Sequence, residues 1–296
     1  MPEYTHVAYT DESHWNDGRY RAVAMVSMRR EHHARVESES KQLLIASNIS
    51  EFKWKEFRGA KERFGAGKLA VLSLDAALRG MVRVDVVCWD IEDERHRVTG
   101  RDDVANLHRM YFHLLRVVLR DRWPDSAIWA VRPDEHTGLD WSVIGEHLHR
   151  ASVLAGAQED MYVEGGLNIF VRRAFRIVEI APVHSVDSPL TQIADLYAGL
   201  ACFSRTKYDD FLAWRGRREA VESLVPDISP EGAESRAERE RFAFLEEFNG
   251  HCKHRKLGVS LKTHRGLRTP QPRNPINFWW YEPQHDQDRA PVRARA

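Results

Sequence analysis

Residues His6–Met28 read HVAYTDESHWNDGRYRAVAMVSM, two apolar runs around a polar interval in which Asp11 and Glu12 stand side by side. The interval DESHWNDG is rich in Asp, Asn, Ser and Gly, residues that bond local backbone or accept left-handed conformations, so it reads as a turn. The flanking runs, 5–10 and 20–28, then form an antiparallel pair of strands. Asp11 has two readings on this basis. It is the last exposed residue of a strand, or it is the acid that a central strand delivers into a site at its carboxyl end, a position where sheet proteins often place chemistry.

Working outward, 31–47 has a polar helical character and ends in KQLLIAS, SEFKW follows at 50–54, and 60–80 carries apolar residues at helical spacing. MVRVDVVCWDI at 81–91 alternates as a strand does. From there strand and helix take turns: a helix at 102–121, a strand at 126–132, a helix at 139–155, a strand at 175–183 and a helix at 188–203. Such alternation implies parallel pairing through crossover helices, whereas the opening strands imply an antiparallel meander. The expected fold is α/β, a mixed sheet flanked by helices with a C-terminal helical appendage. The expected organisation is a core over 1–204, a helical insertion or lid over 205–262, a basic Pro-rich segment and terminal strand (INFWWYEP) completing the core over 263–282, and a disordered tail over 283–296.

Composition narrows the function classes. Of 296 residues 43% are hydrophobic and 30% charged, so a sizeable core sits beneath a heavily charged surface. Lys plus Arg equals Asp plus Glu at 44 each, so bulk charge does not advertise nucleic acid, and any such partner must meet a local patch. The densest positive run is Lys253–Arg273. Cys88, Cys202 and Cys252 are widely spaced and odd in number, which fits reduced thiols better than a disulfide framework. No apolar run reaches the ~18 residues of a membrane span, and the first residues lack the pattern of a signal peptide. A cytoplasmic protein without membrane contact is expected.

The segment SVDSPLTQIADLYAGLACF, Ser185–Phe203, carries the most chemistry. Ser188-Pro189 is a strong helix start, and after it nearly every residue is apolar or small except Gln192 and Asp195, which lie three apart on one face. A carboxylate on a buried helix needs a partner. An arginine or an exposed stripe would serve, and so would a cation. Asp11 closes the first strand, Asp134 follows a later one, and Asp187 and Asp195 follow the last. Several acids converging on one end of a sheet repel one another unless a cation is held between them, and hard oxygen ligands favour Mg²⁺ or Mn²⁺. Glu51, beside Lys53, is a further candidate whose alternative is an exposed acid at a helix end.

These residues also carry a resemblance. A strand into Asp-Glu-Ser, a Glu-x-Lys segment after a helix, an Asp closing a mid-chain strand and Ser-x-x-x-Gln-x-Ala-Asp-Leu opening a late helix resemble the domain of unknown function 3800 family, over about residues 5–282. The aromatic NFWWYEP is similar to that family's tail, while His14 stands where the family has Gly. The resemblance implies a ribonuclease-H-like fold and metal-binding roles for Asp11, Asp134 and Asp195, with Glu51 and Asp187 as further participants. It implies a nuclease that hydrolyses a phosphodiester of DNA or RNA by a two-metal mechanism. The alternatives are a catalytically silent nucleic-acid or protein-binding module, and a hydrolase of another phosphorylated substrate. Three other signals carry less. HCKH at 251–254 lacks a second pair at zinc spacing, FGAGKLA at 64–70 lacks the length and the Ser or Thr of a phosphate loop, and His136 reads as a loop histidine.

Overall fold

A computed structural model describes residues 3–93, 102–135, 176–224 and 234–282. The strands are β1 (His6–Ser13), β2 (Tyr20–Arg29), β3 (Val82–Asp90), β4 (Trp129–Pro133), β5 (Ile177–Ile180) and β6 (Ile276–Trp280). They form one mixed sheet in the order β5-β4-β1-β2-β3-β6. β1, β2 and β3 make the expected antiparallel meander, with Val7 opposite Met28 and Val26 opposite Val84. β4 joins β1 in parallel, β5 joins β4 and β6 joins β3, also in parallel. The carboxyl ends of β1, β3, β4, β5 and β6 therefore share one end of the sheet.

The meander strands are apolar on both faces because both faces are covered. Val7, Tyr9, Ala24, Val26, Val84 and Val86 belong to one buried cluster, and Ala8, Val23, Met25, Val87 and Trp89 belong to the other. Against the first face pack α1 (Arg30–Ala46), α2 (Ala60–Leu78) and α4 (Pro189–Thr206). The second face is covered by α3 (Asp103–Leu115), which runs into a single π-type turn at Arg116–Arg120 where one regular helix was expected. Asp102 caps α3 by accepting the Ala105 N–H at 2.7 Å.

Two further helices, α5 (Tyr208–Leu224) and α6 (Arg236–His254), occupy the segment expected as an insertion or lid. They place Phe211, Trp214, Phe242, Phe244 and Phe248 in the same apolar cluster as the sheet face, so they act as a wall of the core. α2 and α6 run parallel, since Arg63 pairs with Glu240 near both starts and Arg255 with Asp75 near both ends. The expected helix at 139–155, His136 and the tail 283–296 lie outside the described residues. FGAGKLA lies inside α2, where Gly65 is buried against Ile49.

One close approach ties this core to the site. Gly199 on α4 faces the Trp54 ring so closely that an added Cβ would lie 2.0 Å from it. Gly67 on α2 has nothing within 4 Å of the same position. Gly199→Ala should therefore destabilise by about 1–3 kcal/mol despite its better helix propensity, while Gly67→Ala should stabilise by up to ~1 kcal/mol. Urea denaturation midpoints of the two variants check both signs.

Candidate acidic site

Side chains alternate along β1, so Asp11 shares the face of Val7 and Tyr9, where α4 packs, and Glu12 turns toward α3. Asp134 is the first residue past β4, and its N–H donates to the Thr10 carbonyl at 3.0 Å, which sets it beside Asp11 across the parallel pair. Asp195 arrives from the second turn of α4, which Ser188 begins by bonding the Thr191 N–H. Thus β1, β4 and α4 deliver three acids that the sequence singles out to one end of the sheet. Asp11 and Asp134 are only 8% and 7% exposed, whereas Glu12 and Asp195 keep a partial opening to solvent.

Each of these carboxylates has a protein donor or a near neighbour. Asp11 accepts the Glu12 N–H at 2.7 Å, Glu12 accepts the Tyr111 hydroxyl at 2.8 Å, and Asp195 accepts the Trp54 N–H at 2.5 Å. These bonds do not offset the burial of so much negative charge. Burial pushes Asp11 well above the ordinary carboxylate range, and Asp195, Glu12 and Asp134 push it further. Burial raises Glu12 to about 8, with Asp134 and Asp195 adding to it against the Tyr111 bond. Asp195 is raised by burial to about 7, although the Trp54 N–H and Lys53 pull the other way. Burial lowers the Lys53 ammonium, yet Glu51, Asp134 and Asp195 outweigh that and hold its pKa up.

Glu51 and Asp187 sit at the rim. Glu51 accepts the Ser185 hydroxyl at 2.5 Å and pairs with Lys53 at 3.1 Å. Asp187 is exposed in the one-turn helix Ser185–Asp187. Gln192 explains itself as a clamp: its amide oxygen accepts the Phe52 N–H at 2.8 Å and its amide nitrogen donates to the Ser185 carbonyl at 2.7 Å. Glu12 and Tyr111 escape sequence reasoning, because a strand puts adjacent acids on opposite faces and Tyr111 comes from a helix 99 residues away. His14 has φ 58, the left-handed conformation that glycine adopts without strain, and it pairs with Asp17 at 3.0 Å.

Among the described residues, no three His, Cys, Asp or Glu side chains close on one point as a metal site. The donor set nevertheless suits a hard divalent ion, since it is all oxygen, mostly buried and in excess negative charge.

A mixed α/β sheet with buried acids at the carboxyl ends of its central parallel pair defines the class of protein. The chain is 40% identical over 293 residues to uncharacterized protein ORF2′ of Methanothermobacter thermautotrophicus, covering 96% of this chain and 97% of that one. It is 37% identical over 296 residues to uncharacterized protein ORF2 of the same organism, with the same coverage. The chain belongs to the family of these ORF2 proteins. No family model matches it, and no solved structure matches it. Among the described residues no helix is long and apolar enough to cross a membrane.

The titration has a definite sign. Asp11, Glu12 and Asp195 have folded pKa values above their unfolded values near 4, so the native state holds more protons than the unfolded state between about pH 4 and pH 8. The stability these groups contribute is full below about pH 4 and is lost as pH rises to about 8. In EDTA, the Tm of the wild type should fall across that window. Asp195→Asn should flatten the fall and be the more stable protein at pH 8; a fall of equal size in both would contradict the assignment.

Proposed function

We propose that this protein is a divalent-cation-dependent phosphodiester hydrolase acting on nucleic acid, with a ribonuclease-H-like fold and a kinship to the domain of unknown function 3800 family. The observation that carries the reading is the gathering of Asp11, Glu12, Asp134 and Asp195 at the carboxyl ends of β1 and β4, where Asp134 raises the proton affinity of the other three and Asp195 that of Asp11 and Glu12. An antiparallel β1–β2–β3 meander continued by parallel β4 and β5 supports the fold assignment. Evolution toward stability alone would replace such a group, because like charges in low dielectric are costly.

Asp11, Asp134 and Asp195 would hold Mg²⁺ or Mn²⁺, with Glu51 and Asp187 at the rim. A divalent cation there would supply Lewis acidity toward a phosphoryl oxygen and toward attacking water. Tyr111 orients Glu12 by donating its hydroxyl to that carboxylate at 2.8 Å. Lys53, tied to Glu51 and raised by the acids, remains charged and can steady a non-bridging phosphate oxygen. The Trp54 N–H keeps Asp195 turned toward its neighbours.

A second reading, a silent nucleic-acid-binding module, is favoured by one feature: Asp11, Glu12 and Asp195 are each already engaged by a protein donor. The experiment separates the two. With Mn²⁺, purified protein should cleave a member of a panel of single-stranded, duplex and hybrid nucleic acids, with small phosphomonoesters as the third arm. Asp11→Ala, Asp134→Ala and Asp195→Ala should each lower turnover by orders of magnitude with circular dichroism unchanged, and Glu51→Ala should lower it less. Mn²⁺ should also raise the wild-type Tm, but not that of Asp195→Asn. Equal cleavage by wild type and Asp195→Ala, or none on the whole panel, would leave the binding module.

A further inference from the structure

The acids occupy one spot, and the residues that lead away from it are mostly of the opposite charge, Lys55, Arg58 and Lys61 against the single exposed acid Glu56. From the Trp54 N–H on Asp195, the chain passes through a 3-10 turn at Trp54–Glu56 and enters α2 after Gly59. Arg241 on α6 fixes this passage by donating to the Trp54 carbonyl at 2.9 Å and the Phe57 carbonyl at 3.0 Å. Trp54 and Phe57 face inward, and Lys55 and Arg58 face solvent. The passage ends at a cavity of about 500 Å³ lined by Arg58, Lys61 and Arg236 with Gly59, Ala60 and Glu62. All three cations are exposed, while Glu62 is engaged with the Gly59 N–H at 2.8 Å.

One turn beyond Lys61, on the same face of α2, Phe64 is 58% exposed, with the Lys68 ammonium 4.1 Å from its ring centroid. A large exposed ring beside a row of cations is what base stacking next to a phosphate backbone uses. A single phosphate at Asp195 cannot also fill the cavity beyond Arg58, so a substrate spanning both must carry phosphates at intervals.

The basic run Lys253–Arg273 fits such a role poorly. Arg255 pairs with Asp75 at the far end of α2, and the Arg273 carbonyl accepts from Arg83 at the start of β3. These positions lie at the opposite end of the sheet from Asp11. Arg265, by contrast, pairs with Glu282 beyond β6. Folding thus scatters that run and assembles the cavity's cations from α2, α6 and the passage before α2.

We infer that Lys55, Arg58, Lys61 and Arg236 form a track that grips the backbone of a single nucleic-acid strand on one side of the acids, with Phe64 as a stacking platform. This rests on the hydrolase reading for the identity of the bound polymer, but its test does not need turnover. The probe is a fluorescently labelled single strand of roughly 20 nucleotides, its anisotropy followed in EDTA as salt is raised. Wild type should bind with a steep salt dependence. The triple variant Arg58→Ala/Lys61→Ala/Arg236→Ala should bind at least tenfold more weakly at low salt, with a log–log salt slope shallower by about 2, as expected for three lost phosphate contacts on a single strand. Phe64→Ala should weaken binding about fivefold or more and leave the slope unchanged. Lys253→Ala/Lys256→Ala is the control and should bind as wild type does. Equal affinity and slope in the triple variant, or no binding by wild type, would overturn the track. Asp11→Ala distinguishes the two ideas: if it and the wild type both bind through the track and neither cleaves, the hydrolase reading falls and the track stands.

Discussion

The Trp54 N–H donating to the Asp195 carboxylate at 2.5 Å is the contact on which the arrangement depends. It joins the passage between α1 and α2 to the helix that crosses the sheet. Gln192, one turn earlier on the same face, holds Phe52 in parallel with it. Both bonds come from the only two strongly polar side chains in the first part of an otherwise apolar helix. The Trp54 ring then lies on Gly199, a position that tolerates no larger residue. Packing, chain path and the orientation of a candidate ligand are therefore one constraint.

That constraint has an electrostatic cost, which explains the rest of the site. A buried acid satisfied by one N–H is still an acid beside other acids, and protonation or an external cation must relieve the crowding. Glu12 and Asp195 have pKa values near neutrality, so modest changes in pH or in cation concentration shift their charge. Of the positive residues nearby, Lys53 is bound to Glu51 at the rim, and Arg58 and Lys61 line the depression at the start of α2. Lys53 and Lys55 act on Asp195, while the depression beyond it is where a polyanion would be held.

Much of this was legible in the sequence. The meander could be read because turn residues part its first two apolar runs and 81–91 alternates, and Asp195 stood out because a lone carboxylate on an apolar helix demands a reason. Asp134 could be placed because a strand end is marked by the turn residues that follow, whereas Asp11, expected to close a strand ending at Thr10, lies inside β1, which runs on to Ser13 in register with β2. What was not legible depends on contacts distant along the chain. Tyr111 and Glu12 meet across the second sheet face, and the cation-lined cavity draws Arg236 to a helix 175 residues earlier. The Lys253–Arg273 run is dense in sequence and parted in space, since a helix end and the edge of the sheet separate Arg255 from Arg265 and Arg273. The aromatic faces of α5 and α6 show why their charged sequences read as an appendage: the charges mark only the outer side.

The central claim is that the buried acids keep protons until a divalent cation takes their place. Isothermal titration calorimetry of Mn²⁺ into metal-free protein at pH 7, repeated in buffers of different ionisation enthalpy, counts the protons released on binding. The account requires saturable binding with release of about one proton or more per chain, since Glu12 and Asp195 are raised to about 8 and 7, and no saturable binding by Asp195→Asn. No saturable heat with the wild type, or binding with the same enthalpy in every buffer, would contradict it.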